Sequence, residues 1–86
     1  MSPAPDIVFH YRDGCHLCEE MAARLFREWP RIAASMQWHD VDSRADWIEE
    51  FGSRVPVLMH GEVTLSEYML DGDRLAAHFG ETPNPV

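Results

Sequence analysis

The chain has 86 residues, enough for one compact domain at roughly 150 residues per domain. Hydrophobic residues make up 45% of it, so it can bury a core and does not have a disordered composition. Fifteen acids against seven bases, all arginine, leave a formal charge of −8. That excess argues against a duplex-binding or anionic-membrane protein, because both need a basic patch to displace counterions.

Met1-Ser2-Pro3-Ala4-Pro5 has no basic n-region and no apolar h-region, so no cleaved signal is expected. No stretch approaches the roughly 20 apolar residues of a membrane span, and the cytoplasm is the expected compartment. Residues 1–5 and 81–86 read as flexible tails around one domain, residues 6–80. Within it, Ile7 to Tyr11 is a β-branched and aromatic run closed by Arg12-Asp13-Gly14, which predicts a buried strand. From Cys15 the period changes. Leu17, Met21 and Leu25 recur at four-residue steps, and Cys18, Ala22, Leu25 and Trp29 mark a stripe beside them. This predicts an amphipathic helix of about four turns, with Glu19, Glu20, Arg24, Arg27 and Glu28 on its wet side and Pro30 ending or kinking it.

Met36 to Val41 predicts a second strand. Ser43 to Asp46 fits the S-x-x-D capping pattern, and Ala45, Ile48 and Phe51 then run helically to Gly52. Val55 to Met59 predicts a third strand, its proline near the start, where a missing N–H is tolerated. His60-Gly61-Glu62 turns the chain into a fourth strand, Val63 to Tyr68, paired antiparallel as a hairpin. Asp71 caps a last helix that carries Leu75, Ala76 and Phe79 inward, with Gly80 after it. The order β-α-β-α-β-β-α, strands joined by helices and finished by a hairpin, predicts an α/β layered domain with a mixed four-stranded sheet flanked by helices.

The two cysteines, Cys15 and Cys18, stand as C-x-x-C. In a reducing compartment such a pair is more often redox-active or metal-binding than a structural staple, and its short loop would make a weak staple. At the end of a strand and the start of a helix, Cys15 sits at or beside the N-cap. There the unpaired N–H groups and the helix dipole favour a thiolate. Cys18, one turn on, points to the same side and is the more buried, which suits attack by Cys15 and resolution by Cys18. A metal site built on the same atoms needs two further ligands. His10, His16, His39, His60 and His78 are available, none at a familiar ligand spacing. Two inert cysteines packed in a helix start is the third reading, and the residues alone leave all three open.

His16 lies between the cysteines; protonated, it lowers the Cys15 pKa, against the charges of Asp13, Glu19 and Glu20. His10 reads as a packed or edge residue of a strand. Arg12 is the only fixed positive charge on its loop, either a solvated base or the partner of a thiolate or carboxylate. The Val55-Pro56 step opens a core strand.

The block Tyr11-Arg12-Asp13-Gly14-Cys15-His16-Leu17-Cys18-Glu19, followed by Arg54-Val55-Pro56-Val57-Leu58, resembles the thioredoxin superfamily. More closely, it is similar to the small glutaredoxin-like family of bacterial proteins marked by G-C-H-L-C, over Asp6 to Phe79. The resemblance implies a thioredoxin/glutaredoxin-like fold and a thiol–disulfide oxidoreductase with Cys15 as nucleophile and Cys18 as resolving thiol. It implies that Pro56 is a cis proline facing the cysteines and that the Val55 backbone pairs with a bound thiol substrate in strand-like fashion. Arg12 stands where glutaredoxins meet the glycyl carboxylate of glutathione, and with His16, Val55 and Pro56 it makes up the candidate substrate-binding set. The chain departs from glutaredoxins in having His-Leu between its cysteines where they usually have Pro-Tyr. It also has Met69-Leu70-Asp71-Gly72-Asp73 near the place of their Gly-Gly-x-x-Asp segment, with Asp71 or Asp73 as the candidate substitute.

The expected substrates are protein or glutathione disulfides, with no bound cofactor or metal, glutathione as a candidate reductant, and a monomer that engages neither nucleic acid nor membrane. Two rival readings are a metal or iron–sulfur carrier using the C-x-x-C pair and a non-catalytic module that docks a partner through its acidic surface.

Overall fold

The computed structural model describes residues 6–85; Met1 to Pro5, read above as a tail without a signal, and Val86 lie outside them. In chain order the elements are β1 (Ile7–Tyr11), α1 (His16–Glu28), α2 (Pro30–Ser35), β2 (Gln37–Asp40), a 3₁₀ turn (Val41–Ser43), α3 (Ala45–Phe51), β3 (Val57–His60), β4 (Val63–Glu67) and α4 (Gly72–Phe79). The sheet has the order β2-β1-β3-β4. β1 and β2 run parallel, joined by the α1–α2 crossover, while β3 returns antiparallel to β1 and β4 antiparallel to β3. The hairpin turn is two residues long, because His60 pairs with Val63, and its first residue, Gly61, takes φ 62°, a conformation that suits glycine. No helix of the described residues is long and apolar enough to cross a membrane.

Alternation along the central strands sends side chains to two helical layers. Phe9 of β1 and Leu58 of β3 join Met21 and Leu25 of α1, Ile32 of α2 and Leu75 of α4 in the larger core. Their neighbours face the other way: Val57 packs with Val41 and Phe51, and His10 stacks on the Phe51 ring with centroids 3.8 Å apart. Burying each such Leu or Phe stabilises the fold by about 1.5–3 kcal/mol, and most of these buried side chains come from the helices that cover the central strands. In β4 the pairing shifts by one residue beside Leu58 and Met59, a bulge at Leu65. Leu65 and Ser66 are therefore both buried; Leu65 enters the core, and Ser66 Oγ accepts the Asp71 N–H at 2.9 Å.

Several local expectations change once neighbours are present. Pro30 ends α1 and at once begins α2, because a first helical position has no use for the N–H that proline lacks. Trp29 serves as the joint: its N–H donates to Leu25 O at 2.8 Å and its carbonyl accepts from Ala33 at 2.9 Å. The inward stripe of α1 is Cys18, Met21 and Leu25, with Leu17 left on its exposed flank. The S-x-x-D cap does not form. Arg44 precedes α3 without a side-chain cap, and Ser43 Oγ donates instead to the Asp40 carbonyl at 2.6 Å in the 3₁₀ turn. Within α3, Phe51 and Trp47, four residues apart, face the sheet, and that turns Ile48 to solvent. Trp38 is exposed on the edge strand β2. The cap of α4 forms as expected, with Asp71 Oδ1 accepting the Arg74 N–H at 3.0 Å. Beyond α4 the chain does not trail away. Asn84 N–H donates to Glu28 O at 2.8 Å and Glu81 pairs with Arg31, which ties this segment across the α1–α2 junction.

Candidate functional site

The end of β1 delivers the chain to the start of α1 through Arg12-Asp13-Gly14, closed by the Cys15 N–H donating to Arg12 O at 3.3 Å. Cys15 is the N-cap of α1. Its Sγ accepts the Cys18 N–H at 3.1 Å, the role that Ser or Asp plays at other helix starts. The pair is joined as a disulfide with Cα atoms 5.2 Å apart. Its two halves differ in access: Cys15 is half-buried at the rim of the larger core, and Cys18 is within it at 3% exposure. A thiolate at Cys15 would keep the helix dipole and the backbone donor.

Arg12 does not point at the cysteines. Its guanidinium grips Asp42 through both carboxylate oxygens, at 2.9 and 3.1 Å, and donates to the Gly52 carbonyl at 3.0 Å. Donating to the Asp42 carboxylate raises the pKa of the guanidinium above its ordinary value. Gly52 admits this contact because a Cβ there would come within 3.3 Å of the Arg12 guanidinium and 2.5 Å of the Ile48 carbonyl. Arg12 thus braces the loop before Cys15 against the 3₁₀ turn and the end of α3. Its partners lie 30 and 40 residues away in sequence, and no sequence pattern announces them. His16 is also engaged elsewhere, paired with Glu20 one turn along the helix at 2.6 Å and largely exposed.

Pro56 is buried and follows a cis peptide bond from Val55. Val55 borders the same core as Cys15, and outside the helices and strands of the described residues its backbone N–H and carbonyl take no backbone partner. Arg54 holds this segment in place: its guanidinium pairs with Glu67 at 3.0 and 3.2 Å and keeps the Glu67 carboxyl below its usual pKa range. On the other flank, a cavity of about 330 Å³ opens beside Cys18, walled by Phe9, Tyr11, Ala22 and Trp38. Asp71, a candidate ligand group by resemblance, is committed to capping α4.

The remaining histidines do not converge. His10 is 5% exposed, and burial first, then the nearby His39 and Arg54, lower its pKa to about 4. His60 and His78 meet each other at 2.8 Å. Among the described residues no group of three or more His, Cys, Asp or Glu is placed to hold a metal ion. One feature of the site region went unseen in the sequence. The fourth strand stops at Glu67, and Tyr68 departs with a φ of 66°.

Residues 6–80 match the glutaredoxin-like domain family (DUF836). No curated protein matches the chain. Among solved structures it is similar to the solution NMR structure of protein Ne2328 from Nitrosomonas europaea, at 28% identity and a TM-score of 0.67, with 91% of this chain and 94% of that chain covered. The sheet order, the cysteine pair opening the first helix and the match over residues 6–80 agree, and the chain belongs to the glutaredoxin-like family as a redox module of thioredoxin-like fold.

Proposed function

We propose that the protein is a cytoplasmic thiol–disulfide oxidoreductase that works through Cys15 and Cys18 on polypeptide or glutathione disulfides. The observation that carries this reading is the asymmetry of the pair. Cys15 is accessible and holds a backbone donor at the helix start, whereas Cys18 is buried directly behind it. In the reduced protein the Cys15 thiolate attacks one sulfur of a substrate disulfide, and the other sulfur leaves as a thiolate that takes a proton from water. Cys18 loses its proton and attacks Cys15 Sγ, releasing the second substrate thiol and leaving the Cys15–Cys18 disulfide. Two electrons pass from the protein to the substrate. Two equivalents of glutathione, or one dithiol protein, return the pair to the reduced state. The Val55 backbone beside Pro56, without a backbone partner among the described residues, supplies a donor and an acceptor for an extended substrate segment. Arg12 acts as a positioning residue in this scheme, since its guanidinium is spent on Asp42 and Gly52.

The test is equilibration in glutathione buffers with mass-tag alkylation of free thiols. A reversible two-thiol transition between about −270 and −180 mV is the expected result. Cys18→Ser should accumulate mixed disulfides and Cys15→Ser none. Thiols that stay reduced across the whole range would refute the reading.

A further inference from the structure

Tyr11 follows Phe9 by two residues on β1 and so shares its face of the sheet, and Trp38 stands opposite Phe9 on the edge strand β2. The Phe9 and Tyr11 rings lie nearly parallel, 7° apart in plane. The Trp38 indole is set across both, at 77° and 79°, with centroids 5.0 and 5.6 Å away. Against this aromatic corner α1 sets the small side chains of Cys18 and Ala22, and the cavity of about 330 Å³ remains between them. A volume of that order is at the lower end for small-molecule sites. The indole itself is 46% exposed and open to a ligand.

The charges on the wall indicate what the cavity receives. Asp13 and Glu19 line it, both exposed, and neither takes an ion pair among the described residues. Arg12 is the one base on the wall, and its guanidinium is held by both carboxylate oxygens of Asp42. A carboxylate or phosphate ligand therefore meets uncompensated negative charge. A cation meets two free carboxylates and the electron-rich rings of an indole and a phenol, the combination that cages organic ammonium ions. The chain's formal charge of −8 favours the approach of a cation as well. An inorganic ion does not fit, because no group of metal-ligating side chains gathers among the described residues and the wall is aromatic.

We propose that this cavity binds a small organic cation, an ammonium group on a compact apolar body, held by Trp38 and Tyr11 with Asp13 and Glu19 at the mouth. Val55 and Pro56, the segment assigned above to a disulfide substrate, are not part of its wall. The site therefore goes beyond thiol exchange and stands without it.

The experiment titrates the full chain, its disulfide closed, with benzyltrimethylammonium, benzyl alcohol or phenylacetate, and follows the Trp38 indole and the Gly14, Cys18 and Ala22 amides by NMR. The cation is expected to give saturable shifts grouped at these positions and to bind about tenfold more tightly than the alcohol, the scale of a cation–π contact in a partly desolvated site. Phenylacetate is expected not to saturate. Trp38→Leu keeps an apolar wall but removes the indole, and should bring the preference for the cation over the alcohol towards one. Asp13→Asn combined with Glu19→Gln, both at the exposed rim, should weaken the cation about threefold and leave the alcohol unchanged. Shifts that do not saturate or do not group at the cavity, or a wild type that binds cation and alcohol equally, overturn the site. So does a full preference for the cation in either folded variant.

Discussion

His10 offers a sharp test of how the second core layer is built. It is buried between the sheet and α3, stacked on Phe51, and its Nδ1 has no hydrogen-bond partner among the described residues. The neutral ring is the form that fits, so its pKa is lowered from 6.5 to about 4 by burial first, then by His39 and Arg54. Between these values the unfolded chain binds the proton and the folded protein does not, so stability must fall as pH falls through this window. At pH 4.5, linkage with folded and unfolded values of about 4 and 6.5 gives a loss of roughly 2–3 kcal/mol relative to neutral pH. Domains of this size have total stabilities on the order of 5–10 kcal/mol, so the loss is large. His10→Phe keeps the stack on Phe51, deserts no partner at Nδ1 and removes the titration. Urea unfolding at pH 7 and pH 4.5 is the assay. The lowered carboxyls of Glu28, Asp46 and Glu67 lose stability with acid in both proteins, so the difference between them isolates His10. The variant should retain roughly 2–3 kcal/mol more at pH 4.5 than wild type, each referred to its own value at pH 7. Equal losses in the two proteins would refute the placement of a neutral His10 against α3.

Leu58→Ala, at a fully buried position of the central strand β3, should cost about 2–5 kcal/mol in chemical unfolding, because the cavity opens between the sheet and the helices above it; a loss under about 1 kcal/mol would mean that the site collapses or was never packed. Asp71→Ala should cost about 1 kcal/mol and Asp71→Asn much less, since the side chain caps α4 through the Arg74 N–H. Thermal melts of the two variants decide whether Asp71 is a cap, and equal losses would say that its charge matters more than its acceptor.

The order of elements was legible because both faces of the two central strands are covered. Ile7 to Tyr11, broken only by His10, and Val57 to Met59 therefore read as apolar runs, and the helices between them show their own period. The cysteine pair was legible for a different reason. A C-x-x-C placed where a strand gives way to a helix sets the N-cap geometry locally, and the cap bond from Cys18 to Cys15 spans only three residues. The Asp71 cap and the tight turn at Gly61 are likewise local. Where spacing misled, tertiary neighbours decided. Leu17 and Ile48 satisfied a helical period yet face solvent, because the sheet reaches only the stripe beside them. Ser43 lost its capping role to a 3₁₀ turn held by the Asp40 carbonyl.

By itself the sequence determined that an α/β domain would form and that two sulfurs would meet at a helix start, because strand period, helix period and capping are properties of residues within a few positions of one another. It left undetermined what Arg12 would hold, and that Tyr68 would leave β4 in a left-handed turn with its N–H on the Pro56 carbonyl. Those outcomes depend on carboxylates, carbonyls and strands brought from 12 to 40 residues away, as with Arg12 on Gly52, Tyr68 on Pro56 and Tyr68 on Ser53. Only closure of the sheet sets such distances, since a group's partner follows from packing and not from its place in the chain.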